Sequence, residues 1–305
     1  MTEADTTQVA RARFAVSAET FALLTYAALA ALFLIVVSGA TVRLTGSGLG
    51  CDKWPRCGSS FLPEKNFHAL VEYGNRGVGF IVGLVTLAAA IGATRVERLP
   101  RWLLWAAWAL PVTVLLQGVL GGITVLVELH PLIVMAHFLL SLLALGVAVV
   151  VAFGAHDLVR EVVKHPPLAA NWLAVVLVPS ALALIVTGTL VTAAGPHSGG
   201  EEIKRYGLLP DALHIHVGAT GIFAITFVGI VASLLWHRRE ARGDLLFSAG
   251  VLGLLFVQMT IGDIQWREHL PWPLVLVHVT LATAVWVGVV SLAARLLLRS
   301  RPVLP

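Results

Sequence analysis

His137, His216 and His278, together with the run Glu72-Tyr73-Gly74-Asn75-Arg76, are the residues of this chain whose types and spacing could do chemistry. All of them fall inside or at the ends of long apolar runs. Ionisable groups at membrane depth cost on the order of several kcal/mol, so they mark sites by default. Imidazoles ligate metals, a carboxylate can hold or release a proton, and a guanidinium pairs with carboxylates through a planar fork. Glu72 and Asn75 stand at i, i+3 and share a helix face. Glu72 and Arg76 stand at i, i+4, so an ion pair is the competing role for that carboxylate.

These residues must be positioned by helices. The 305 residues are 58% hydrophobic and 12% charged, with a mean hydropathy of +0.87. A soluble domain would be about 25% charged. Apolar runs long enough to cross a bilayer core of roughly 30 Å recur along the whole chain. Eight spans are predicted, at about 21–43, 69–94, 102–125, 132–154, 169–192, 211–236, 244–264 and 273–295. They leave no room for a separate soluble domain. The expected fold is therefore all-α and integral to the membrane. The first span follows Arg11 and Arg13 but is too long for a signal-peptide core and lacks a small-residue cleavage pattern, so it is read as a retained helix.

Basic residues orient the spans. Arg11, Arg13, Arg95, Arg98, Arg101, Arg160, Lys164, Arg238, Arg239, Arg242, Arg295, Arg299 and Arg301 fall on one side, 13 of the 21 Lys and Arg. Both termini are thus expected in the cytoplasm of a bacterial-type membrane. Asp52, Glu64, Glu128, Glu201, Glu202 and Glu268 lie in the opposite loops. The net charge of +4 reports this topology, and a nucleic-acid partner is not needed to explain it. The two cysteines, Cys51 and Cys57, share the first outward loop, where a closely spaced pair can oxidise. A disulfide is the expected state, unpaired thiols are the alternative, and two thiolates alone do not complete a tetrahedral metal site.

The chain is written twice. Gln117 and His137 recur as Gln258 and His278, an offset of 141 that also carries Gly121 to Gly262. The same offset lays Asn75 over His216 and Gly77 over Gly218. Near the first span, "GATVRLTGSG" resembles "GTLVTAAGPH" at an offset of 149, the difference being a longer first loop. Each half has four spans, so both share one orientation about an axis along the membrane normal. The expected organisation is a cytoplasmic tail at 1–20, a four-helix bundle at 21–155, a linker at 156–168, a second bundle at 169–295 and a tail at 296–305.

Of the 11 histidines, His156, His165 and His237 sit at cytoplasmic helix ends, and His68, His130, His197 and His269 in or near outward loops. Within the spans stand His137, His214, His216 and His278. His216 and His278 lie at equal depth on the second and fourth helices of one bundle, roughly 8 Å inside the outer helix ends at about 1.5 Å per residue. Two imidazoles facing each other across a bundle core suit six-coordinate haem iron. Interhelical hydrogen bonding is the bland alternative. Copper or zinc would want three or four close ligands. His214 is about 200° round the helix from His216, and the repeat selects His216.

Taken together, "GATVRLTGSGLGCDKWPRC", Glu72-x-x-Asn75-Arg76, "QGVLGGITV…H", "TGTLVTAAGPHSGG" and "QMTIGDIQ…H" resemble the haem A synthase family from about residue 38 to His278. The resemblance implies duplicated four-helix bundles, with haem b between His216 and His278. It implies that the N-terminal half takes haem O as substrate, oxidising its C8 methyl to the formyl of haem A, with His137 as an iron ligand. It places the family's acidic residue at Glu72 and its outward cysteine pair at Cys51 and Cys57. It also implies haem O synthase and cytochrome oxidase assembly factors as partners, besides membrane lipid. One departure stands out: Asn75 occupies a position where the family pattern usually has histidine. Glu72 is the expected acid–base group, and Arg43 and Arg76 are candidates for the haem propionates. A cytochrome b-type electron carrier is the runner-up. A parallel-repeat transporter is disfavoured, because the spans lack the paired broken helices such sites use.

Overall fold

A computed structural model describes residues 15–51, 53–159, 168–196, 205, 207–239 and 241–298. Most of the expected tails and linker, with His165 and His197, lie outside the described residues. Eight helices, all long and apolar enough to cross a membrane, make up the described fold. They are α1 (Ala18–Leu44), α2 (Phe67–Ala93), α3 (Arg101–Leu126), α4 (Pro131–Val159), α5 (Leu168–Ala194), α6 (Leu209–Trp236), α7 (Arg242–Arg267) and α8 (Trp272–Leu298). Seven contain the apolar run expected from sequence and α2 stops one residue short of it, and most extend the run by a few residues at one end or both.

Local chemistry sets the boundaries. Ser17 caps α1 by accepting from the Thr20 N–H at 3.1 Å, and Asn66 caps α2 by accepting from the Ala69 N–H at 2.8 Å. Both satisfy donors that the helix cannot. Buried threonines in the spans return their hydroxyls to their own helix: Thr25 to the Ala22 carbonyl, Thr86 to Val82 and Thr283 to Val279. In hydrocarbon this keeps a polar side chain satisfied without a water. Large apolar residues such as Phe80, Leu115, Ile225 and Phe256 point outward, which on a membrane protein is the lipid-facing surface.

In the first half α1 packs on α2 and α4, and α3 packs on both α2 and α4. In the second, α5 packs on α6 and α8, and α7 on α8, while α6 touches α7 only lightly. The halves meet chiefly along α8, which lies against α4 and α1. Trp286 of α8 is buried in that seam. Its indole N–H donates to the Leu142 carbonyl of α4 at 2.7 Å, and Gly146 gives the ring room. A tryptophan buried in an apolar seam needs a partner for its N–H, and this one finds it across the seam.

Candidate active site within the helix bundles

The second half holds the two histidines in related but unequal settings. His216 Nδ1 lies 3.1 Å from the Leu184 carbonyl and 3.1 Å from the Thr187 hydroxyl. Only a protonated Nδ1 can donate to the carbonyl, which leaves Nε2 with its lone pair. Gly188 backs the ring so closely that a Cβ there would come within 3.1 Å of Cε1. On α8, His278 Nε2 lies 3.1 Å from the Gln258 amide, and its Nδ1 is buried without a partner. Gly262 backs this ring, where a Cβ would stand 3.0 Å from Cε1. His214 is exposed on the other side of α6. His216, the ring that the repeat singles out, is the one packed against α5.

The first half repeats this plan with one substitution. His137 has a buried, unpartnered Nδ1 and is backed by Gly121, where a Cβ would stand 3.3 Å from Cε1. Gln117 ties the same turn differently from its repeat partner, donating to the His137 carbonyl at 3.0 Å and the Ser141 hydroxyl at 2.7 Å. On the α1–α2 side of this half, Ser38 donates to Asn75 Oδ1 at 2.8 Å. Shifting Ser38 and Gly39 by 149 gives Thr187 and Gly188, the two residues that seat His216. The hydroxyl and the glycine are therefore both kept where the imidazole is not. A Cβ on Gly39 would meet nothing within 4 Å. Val71 and Val78, on the same α2 stripe as Asn75, line a groove of about 460 Å³ with Leu34, Val37, Ser38 and Thr41 of α1.

Glu72 is buried in α2 and has both oxygens engaged. Oε2 accepts from the Cys51 N–H at 2.7 Å, and Oε1 pairs with Arg76 Nη2 at 2.6 Å. Arg76 in turn donates to the carbonyls of Cys51, Lys53, Pro55 and Arg56 at 3.0–3.4 Å. The pair thus clamps the first loop onto α2. That loop is closed by the Cys51–Cys57 disulfide. A seven-residue ring of this kind removes about 2–3 kcal/mol of loop entropy from the open chain. Trp54 of the loop lies so close over α3 that Gly122 has no space for a side chain. Gly121 and Gly122 therefore divide two tasks, one backing His137 and the other seating the loop.

Arg43 sits at the last turn of α1 with a buried, unpartnered Nε, and among the described residues no acidic side chain pairs with it. The repeat positions of Arg43, Glu72 and Arg76 are Thr192, Leu213 and Val217. This charged trio therefore has no repeat counterpart in the second half. Among the described residues no cluster of three or more His, Cys, Asp or Glu side chains is placed to hold a metal ion. Paired imidazoles backed by glycines suit a flat ligand that brings its own iron.

Sequence reasoning missed the hydroxyl partners Ser38 and Thr187, the glycines that seat each ring, and the Trp54 contact. "SGATV" against "TGTLV" at the 149 offset carries the first two, because each pairs a hydroxyl residue with a glycine one turn-face from the ligand. Nothing in the sequence points to Trp54.

This fold and site define a polytopic helical membrane protein whose chemistry lies between its helices. Residues 22–68 and 61–197 match the COX15-CtaA family, described as cytochrome oxidase assembly protein. Heme A synthase of Symbiobacterium thermophilum is 31% identical over 278 residues, covering 86% of this chain and 90% of that protein. Heme A synthase of Alkalihalophilus pseudofirmus is 27% identical over 245 residues, 76% of this chain and 82% of that protein. Heme A synthase of Bacillus licheniformis is 32% identical over 115 residues, 37% of this chain and 38% of that protein. The chain belongs to the COX15-CtaA family of cytochrome oxidase assembly proteins.

Proposed function

We propose that this chain is a haem A synthase, an integral-membrane oxidoreductase that oxidises the C8 methyl of haem O to the formyl of haem A. The observation that carries the reading is the near full-length match to a protein of that name, joined to membership of the family. An electron-carrying cytochrome b is not favoured by these relatives. It also has no use for the Glu72–Arg76 clamp or for the disulfide-closed loop above the first half.

Residues 21–155 and 169–295 are two bundles related by a pseudo-two-fold axis along the membrane normal, with 1–20, 156–168 and 296–305 on the cytoplasmic side and the disulfide loop outside. The second half takes haem b as cofactor between His216 and His278. The unpartnered His278 nitrogen and the free His216 Nε2 fit such a group. Bound haem supplies one-electron chemistry. Haem O is the substrate of the first half. There His137 offers the one imidazole, Asn75 lines the opposite face, and Arg43 meets a propionate. Glu72 is the acid–base group of this half, and Arg76 orients it while holding the loop that excludes water. Haem O synthase is the upstream partner and cytochrome oxidase assembly factors the downstream ones.

The test is product analysis. Membranes holding this chain and a haem O synthase are extracted and their pigments separated by chromatography. Haem A, or haem O hydroxylated at that methyl, is the expected outcome. Unchanged haem O beside haem b alone overturns the enzyme in favour of the electron carrier.

A further inference from the structure

At the α6 and α8 N-terminal ends of the second half lies a cavity of about 540 Å³, lined by Pro196, Arg205, Leu209, Trp266, Arg267, His269 and Leu270. None of its polar residues belongs to the histidine sites described above. We infer that this cavity receives the two ionised carboxylates of the porphyrin held between His216 and His278, with Arg205 and Arg267 as their counter-charges. The inference rests on the bis-histidine reading of the second half.

Depth decides which way the carboxylates point. His216 lies seven residues from the start of α6 and His278 six from the start of α8, with about twenty residues beyond each toward the other membrane face. At about 1.5 Å per residue, both imidazoles sit roughly 9–10 Å below these helix starts. A carboxylate pair turned the other way would lie in hydrocarbon, where an ion is costly. Turned toward the helix starts, it reaches the depth of Leu209 and Leu270, which line the cavity. The starts of α6 and α8 also present the positive ends of two helix dipoles.

The cation inventory points the same way. The first half has helix-borne Arg43 and Arg76, but their repeat positions hold Thr192 and Val217, which cannot offset an anion. The second half instead has Arg267 and His269, whose counterparts in the first are Leu126 and Glu128. Arg267 is steadied by Asp263, which accepts from Nε at 2.8 Å and leaves the terminal nitrogens of the fork for a second acceptor. Each half therefore carries arginines at this end, supplied from different elements.

The test uses the purified full-length protein and reads haem b directly. Arg205→Gln, Arg267→Gln and the double variant are compared for the rate of haem b transfer to apomyoglobin and for midpoint potential. Each single variant should speed transfer about tenfold, the scale of one charge-assisted hydrogen bond, and lower the potential, since a lost positive charge favours the oxidised haem. Haem b dimethyl ester, which has no ionised carboxylates, should leave the unmodified protein and the double variant at the same rate. If the double variant does not fold, Arg205→Lys and Arg267→Lys keep the charge and should keep the potential while speeding transfer. An unchanged transfer rate and potential in the double variant, with haem b still bound, overturns the inference and leaves the bis-histidine reading standing. The same result with less anionic lipid co-purified assigns the cavity to a lipid headgroup, which also overturns it. Absence of low-spin haem b from the unmodified protein removes the bis-histidine reading itself.

Discussion

Glu72→Gln should lower haem A formation at least about a hundredfold, the lower range for loss of a positioned acid–base group, while haem b stays bound in the second half. The amide keeps the shape of the side chain and one acceptor for the Cys51 N–H, so the loop retains that anchor. What disappears is the exchangeable proton and the charge facing Arg76. Because both oxygens are engaged, a purely structural Glu72 is the rival account, and Arg76→Gln separates the two. That variant breaks the ion pair and releases the loop carbonyls while leaving the carboxylate in place. A loss near tenfold in Arg76→Gln beside the much deeper loss in Glu72→Gln supports proton handling. Equal losses in both reduce Glu72 to a loop anchor.

The second large effect is spectroscopic. His216→Ala or His278→Ala should each remove the low-spin haem b absorption almost completely, whereas His214→Ala should leave it intact. His216 is held by the Leu184 carbonyl and Thr187 with Nε2 left over, and His278 has a buried nitrogen with no other partner. His214 faces away from that space. Equal loss from all three would show that the repeat and the geometry had both selected the wrong ring.

Much of this was legible before any coordinates. Eight spans follow from hydropathy because backbone groups in a bilayer must be satisfied within each helix, so run length alone delimits the elements. The choice of His216 over His214 followed from the duplicated pattern, and the disulfide from two cysteines in one short loop. Other features were out of reach because they join residues distant in sequence. Ser38 meets Asn75 and Trp286 meets Leu142 only once helices pack. Arg76 illustrates a different limit. Its spacing from Glu72 announced an ion pair, but nothing in the sequence says that its remaining donors collect the carbonyls of the loop above it. A cation that looked available for a propionate is occupied with holding the loop, and Arg43 is left as the first-half guanidinium with an unpartnered nitrogen.

The central claim is that the second half saturates its haem with two imidazoles while the first half leaves one face open at Asn75. An amide is a poor ligand for haem iron, whereas imidazole is a common one. The seat for an imidazole is nonetheless intact. A Cβ on Gly39 would meet nothing within 4 Å, and Ser38 stands at the repeat position of Thr187, which supports the His216 ring. Asn75→His should therefore fill the open position without repacking. The deciding measurement is resonance Raman or EPR of the protein loaded with haem O, before and after that substitution. The account predicts high-spin haem O beside low-spin haem b in the unmodified protein, and conversion of the haem O signal to low-spin in Asn75→His. Six-coordinate low-spin haem O already present in the unmodified protein would contradict it, since another residue would then close the face that Asn75 is taken to leave open.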